Sequence, residues 1–169
     1  MMLGNNRFVE ACQVAAAYNP VDVNGAAQTG DWISLKNFHR CAVIIFGDAG
    51  SSGTDITITA QQATDVSGSG AKALNFTRVD KKEGADIFAI GQFTTVEQAA
   101  ANTFTTTNNE QSDQIYVLDF GPDDLDVDGG FDCIRITQNA GNASKLMAGL
   151  YIPYGPKVGT DPLPSVIAD

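Results

Sequence analysis

The apolar residues of this chain come in short runs separated by clusters of Gly, Asp, Asn and Ser. Those turn-forming clusters return about every ten to fifteen residues along the 169-residue sequence. Breaks at that spacing leave no room for helices of ordinary length, whereas strands fit between them. Seventeen glycines supply the turns, and the runs are rich in Thr, Val, Ile, Phe and Tyr, which suit a pleated, half-buried surface. No strand–helix–strand alternation argues for a parallel sheet. The pattern predicts an all-β fold: a β-sandwich or jelly-roll-like single domain with extended termini.

Particular segments carry this reading. Trp32–Lys36 alternates, with Trp32, Ser34 and Lys36 opposing Ile33 and Leu35. A turn over Asn37–His39 is expected next, then Arg40–Phe46, whose unbroken apolar stretch suits a strand covered on both faces. Gly47–Gly53 reads as a loop. Asp55–Gln61 sets Ile56 and Ile58 against Thr57 and Thr59, a half-buried strand. Leu74–Lys82 alternates less cleanly. Ile87–Thr95 reads as a strand bent at Gly91. Val96–Asn102 reads as a helical turn on the β scaffold. Asp113–Phe120 and Phe131–Gln138 are strands. Gly149–Tyr154 closes the series, with Pro153 placing its end at an edge or a strand terminus.

The sequence divides into residues 1–20, an N-terminal arm or short helix, residues 21–153, the sandwich, and residues 154–169, a proline-rich tail. Phe8, Ala11, Cys12 and Ala15 fall at helical spacing, and Tyr18-Asn19-Pro20 ends any helix there. The tail lacks the apolar residues for a core of its own, so it is expected to be disordered or to become ordered on a neighbouring subunit.

Ten basic against twenty acidic residues give a formal charge of −10. A negative field repels phosphate backbones, so nucleic acid is excluded as a partner. The longest apolar run, Cys41–Phe46, is far too short for a bilayer, so no membrane partner is expected. The N-terminal residues lack a charged-then-apolar leader pattern, and synthesis in a cytoplasm is the expectation. Cys12, Cys41 and Cys133 are odd in number and far apart, which reads as buried thiols rather than a disulfide framework.

Candidate chemistry is sparse. Asp124, Asp126 and Asp128 fall at positions 1, 3 and 5 of a calcium loop, with Gly129 at its turn. The twelfth position is Arg135 instead of a glutamate, and a strand precedes the loop, so an EF-hand is rejected. A polar turn is the preferred reading and a less regular cation site the other. His39, the single histidine, has no nucleophile signature beside it and reads as a loop residue. Cys12 or Cys133 paired with His39 would make a thiol nucleophile in principle, but Cys133 lies in an apolar strand. No two carboxylates are marked as facing each other across a cleft. Gly68–Ala73 lacks phosphate-loop spacing and reads as a flexible connection. No catalytic residue and no cofactor is assigned. Of the large aromatics, Trp32, Phe38, Phe76, Phe104 and Tyr116 are expected in the core. Tyr151 and Tyr154, with Pro156, Pro162 and Pro164, are the candidate partner interface.

Several strings carry a resemblance. They are Gly30–Phe38 (GDWISLKNF), Gln61–Val66 (QQATDV) with Ala71–Phe76 (AKALNF), Leu125–Arg135 (LDVDGGFDCIR) and Leu150-Tyr151-Ile152 before the proline-rich end. From about Asp31 onward the chain resembles tailed-bacteriophage capsid cement (decoration) proteins. The resemblance implies a sandwich or jelly roll on the outside of an assembled head. It also implies a homotrimer at three-fold positions, in contact with several major capsid subunits. A non-enzymatic virion protein, made in the bacterial host, is therefore the expectation. The alternatives are a head–tail connector or tail component, and a calcium-dependent carbohydrate-binding jelly roll. Removing Pro156–Asp169 is expected to weaken capsid binding and leave the β core folded.

Overall fold

The structure is a computed structural model and describes residues 7–50, 55–88, 92–106, 112–157, 163 and 165–167. In chain order it contains one helical turn, α1 (Phe8–Ala11), and strands β1 (Ala15–Asp22), β2 (Gln28–Thr29), β3 (Ile33–Ser34) and β4 (Phe38–Gly47). There follow β5 (Thr57–Ala63), β6 (Lys72–Ala73), β7 (Phe76–Glu83), β8 (Thr94–Ala101) and β9 (Thr103–Thr105). The last three are β10 (Gln114–Phe120), β11 (Cys133–Gln138) and β12 (Leu146–Pro156).

Two antiparallel sheets result. The larger has the order β1-β12-β4-β10-β7-β8; the smaller runs β2-β11-β5-β6, with β3 also on β11 and β9 on β5. Alternate residues of the facing strands meet between the sheets, as a sandwich requires. Cys41, Val43 and Ile45 of β4 and Tyr116 and Leu118 of β10 meet Ile58 and Ala60 of β5 and Ile134 and Ile136 of β11 in one core. Tyr151 pins the sheets together: its ring belongs to β12, and its hydroxyl accepts the Ile136 N–H of β11 at 2.9 Å. Among the described residues, no helix is long and apolar enough to cross a membrane.

The all-β expectation is met, and Ile56 and Ile58 point inward while Thr57 and Thr59 do not. Other expectations need correction. Val96–Asn102 is not a helical turn: Thr94, Thr95 and Val96 pair with Lys81, Asp80 and Val79, so ladder pairing overrides the helix preference of the alanines. His39 lies in β4 rather than in a loop. Ile87 ends a 3-10 turn, Gly84–Ile87, and residues 89–91, including the expected bend at Gly91, lie outside the described residues.

Pro153 does not end its strand. β12 continues to Pro156 along β4, but its regular pairing with β1 ends at Tyr151, so Pro153 stands where that side of the strand is an edge, the first of the two expected settings. Proline is tolerated there because the last regular β1 pair is Ala15 with Tyr151. Beyond it the Pro153 carbonyl accepts the Gln13 N–H at 2.9 Å and Cys12 bridges Tyr154, neither of which needs an N–H from proline.

The ends also fold differently. In the N-terminal segment, expected as an arm or a short helix, one turn, α1, leads into β1, which is part of the larger sheet. Trp32, Ile33, Ser34 and Leu35 are all buried instead of alternating. Trp32 packs with Ala63 and Cys133 beside Gly68, and the C-terminal tail returns over β3. Val166 enters the main core, its carbonyl accepts the Ser34 N–H at 2.7 Å, and the Gln13 carboxamide donates to the Leu163 carbonyl. The described part of the tail thus packs on its own domain.

Candidate interaction surface

The unbroken apolar run in β4 has a different cause from the one its sequence suggests. β4 alternates between buried and less buried positions, so it is covered on one face. Within the run its inner residues are Cys41, Val43 and Ile45, and its outer residues Ala42, Ile44 and Phe46 are apolar as well. Register extends this outer face sideways. Phe46 pairs with Ala148 of β12 and Ile115 of β10, and Ile44 pairs with Leu150 and Val117. Ile152 continues it beside Ala42. Phe46 is 46% exposed and Leu150 40%, values high for central strands of a six-stranded sheet. A contiguous apolar outer face is the type of surface that marks a contact with another macromolecule.

Charged groups frame this face. At one end the Tyr154 hydroxyl donates to Asp119 at 2.7 Å, and the Arg40 guanidinium reaches the same carboxylate at 3.2 Å. Burial, then the bond to Asp119, pushes the Tyr154 phenol up to about 12. At the other side Arg78 pairs with Asp80 at 2.9 Å, and Thr95 donates to Asp80 at 2.6 Å. The Lys82 ammonium lies 4.9 Å from the centre of the Phe93 ring. Phe93 is 46% and Phe88 80% exposed, so the β7–β8 connection adds two open aromatic rings.

Tyr151 has no accessible surface, since it is the core pin described above. It is thus corrected as a partner residue: a fully buried ring offers a partner nothing. Tyr154 sits half-buried on the charged frame, and Pro156 pairs with Phe38 inside β12. Pro162 and Pro164 lie outside the described residues.

The acidic turn is arranged around internal partners. Two 3-10 turns, Pro122–Asp124 and Val127–Gly129, separate the three carboxylates. Asp124 accepts the Gly121 N–H at 2.8 Å. Asp126 is bonded to the Lys72 ammonium and accepts the Gly129 N–H at 3.1 Å, which together hold it below the ordinary carboxylate range. Asp128 is exposed. Among the described residues, no three His, Cys, Asp or Glu side chains converge as a metal ion would require.

The thiols are equally settled. All three cysteines are buried and none is in a disulfide, and burial pushes the Cys12 and Cys41 thiols up, away from the reactive thiolate. Cys133 packs with Trp32 and Ala63 in a small second cluster. Gly68 is a packing position: its φ is +84°, and a Cβ there would meet the Trp32 indole nitrogen at 2.3 Å.

Sequence reasoning missed Lys145 entirely. Lys145 is 1% exposed and donates to the Gln114 carboxamide oxygen at 2.8 Å. Its stem passes Gly47 and Gly50, where a Cβ would stand 3.2 and 3.0 Å from Lys145 carbons. Burial pulls the ammonium down from its ordinary value, while Asp48, Asp55, Glu83 and Asp113 push it back up. An open cleft of about 500 Å³ lined by Asp22, Asp48, Asp113, Ser144 and Lys145 lies above it. A single lysine in a polar stretch carries no signal of burial, so only the fold reveals this cluster.

In comparisons with known proteins, no family model matches the chain and no curated protein matches it.

Proposed function

We propose that the chain is a structural binding protein of the virion, docking on the outer surface of a phage head and cementing neighbouring major capsid subunits. The observation that carries the binding reading is the apolar outer face of β12, β4 and β10, centred on Phe46, Ile44 and Leu150. The strings that resemble cement proteins point to the shell as the partner. In the nested strand order we read a jelly roll: β1 lies beside β12 in one sheet, and β2 beside β11 in the other.

The physical logic follows from mass action. A protein that binds the assembled shell and not its free subunits stabilises the assembled state in proportion to occupancy. Many modest contacts repeated over a lattice add to high avidity without any strong single site. A wide, shallow apolar face framed by charges suits that task, because the apolar centre supplies affinity and the charges fix orientation.

The test is decoration of particles that lack the protein. Purified chain added to such particles should co-sediment with them and raise their resistance to heat. The double variant Phe46→Ser, Leu150→Ser should keep the monomer's unfolding midpoint, since both side chains face outward, yet lose co-sedimentation at least tenfold. Wild-type protein that fails to bind overturns the capsid reading, and a variant that still binds removes the sheet face from it. Binding confined to the portal vertex would favour the connector alternative.

A further inference from the structure

The surroundings of Lys145 hold more than a hydrogen bond needs. Gln114 opens β10, where it pairs with Gly47 of β4 on one side and Glu83 of β7 on the other. Directly opposed residues of antiparallel strands share a face. The Gln114 carboxamide, the Glu83 carboxylate and the bare Gly47 therefore lie side by side on the inner face of the larger sheet. The lysine stem crosses the gap at Gly47 and brings Nζ to 2.8 Å from the Gln114 carboxamide oxygen. Tyr116, two residues along that face, has no accessible surface and donates its hydroxyl to Glu83 at 3.2 Å. An amine, a carboxamide and a carboxylate are thus assembled at one end of the core, the first two 1% exposed.

We propose that this cluster closes an intramolecular isopeptide bond between Lys145 Nζ and Gln114 Cδ, with release of ammonia. Two side chains held at contact distance in a closed site react at a high effective concentration, which offsets the poor reactivity of a carboxamide. The amine must first lose its charge. Burial favours that loss, whereas Asp48, Asp55, Glu83 and Asp113 oppose it. Of these four, Glu83 is the one paired beside the carboxamide, so it is placed to carry the proton.

The step balances without an oxidant or a cofactor. Glu83 takes a proton from the Lys145 ammonium, and the freed lone pair attacks Cδ while the carbonyl π pair moves onto the oxygen. Glu83 then gives its proton to the carboxamide nitrogen and takes one from the attacking nitrogen. The bond from Cδ to the carboxamide nitrogen breaks with its electron pair on that nitrogen, and the carbonyl re-forms. The departing ammonia accepts the proton that Glu83 still carries, so one ammonium is lost and Glu83 ends as a carboxylate. The open cleft of about 500 Å³ beside Lys145 is its way out. The bond joins residues 31 positions apart. It spans β4 at Gly47 and staples β10 to the loop before β12, the two segments that flank that strand. It requires nothing of a viral shell and stands or falls separately from the proposed function.

The test is the intact mass of the purified full-length chain, with tandem mass spectrometry of its proteolytic digest. Wild type should be lighter than its sequence by one ammonia, and the digest should hold a branched peptide joining Lys145 to Gln114. Lys145→Met and Gln114→Met keep an unreactive side chain of similar length in each slot, and both should restore the full mass. Glu83→Gln should lower the cross-linked fraction at least tenfold. A wild type of full mass in fresh and in long-incubated samples would overturn the bond. A mass deficit that persists in Gln114→Met, or a branch at another pair of residues, would overturn it equally. A cross-linked fraction unchanged in Glu83→Gln would overturn the role of Glu83 as proton carrier.

Discussion

The Lys145 ammonium donates to the Gln114 carboxamide oxygen at 2.8 Å, and both residues are 1% exposed. The bond ties the loop before β12 to the first residue of β10, at the end of the sandwich where Gly47 leaves room for the lysine stem. A buried cation is tolerated only with partners, and the carboxylates of Asp48, Asp55, Glu83 and Asp113 supply the opposing field.

Removing this cation should therefore be costly. Lys145→Ala leaves Gln114 without this donor and vacates the slot over Gly47, and it should cost about 3 kcal/mol in urea unfolding. Lys145→Met keeps the packed stem and should cost clearly less. Equal, negligible shifts in midpoint for both variants would show that the cluster contributes nothing to stability.

The tyrosines set an alkaline limit. Burial pushes the phenols of Tyr18, Tyr116, Tyr151 and Tyr154 above the ordinary value of about 10, with Glu83 adding to the shift at Tyr116 and Asp119 at Tyr154. An acid raised by folding contributes stability that is fully present below its unfolded pKa and is lost as the pH rises through the folded one. These four are all the tyrosines of the chain. Phenolate absorbance should therefore be nearly absent in native protein at about pH 10, and it should rise together with loss of structure at higher pH. Ordinary titration of even two phenols in the folded state would contradict the burial.

The tail should behave as part of the domain. Because Pro156 pairs with Phe38 and Lys157 donates to the Leu35 and Lys36 carbonyls, a truncation that spares the sandwich must begin after Lys157. That truncation should stay folded but lose about 2 kcal/mol through exposure of the core under Val166. The Ser34 amide, held by the Val166 carbonyl, should lose its protection in hydrogen exchange. An unchanged Ser34 exchange rate would mean that the tail does not hold that edge.

The strand pattern was legible in the sequence because period-two alternation is a local property. Ile56 and Ile58 against Thr57 and Thr59, and the run through Gln114–Phe120, follow from side chains pointing alternately to the two faces of a strand. Tertiary structure decided what local pattern could not carry. Cys41–Phe46 has one apolar character whether its outer face is covered by protein or left open, and only sheet stacking shows that it is open. Val96–Ala101 favours a helix by residue type until β7 supplies a ladder. Tyr151 looks like an interface anchor until the opposite sheet brings the Ile136 N–H to its hydroxyl. Lys145 carries no local sign of burial, which arises only when folding closes Gln114 over it. In each of these cases the deciding partner lies far away in the chain, and local sequence holds no record of a contact made across such a distance.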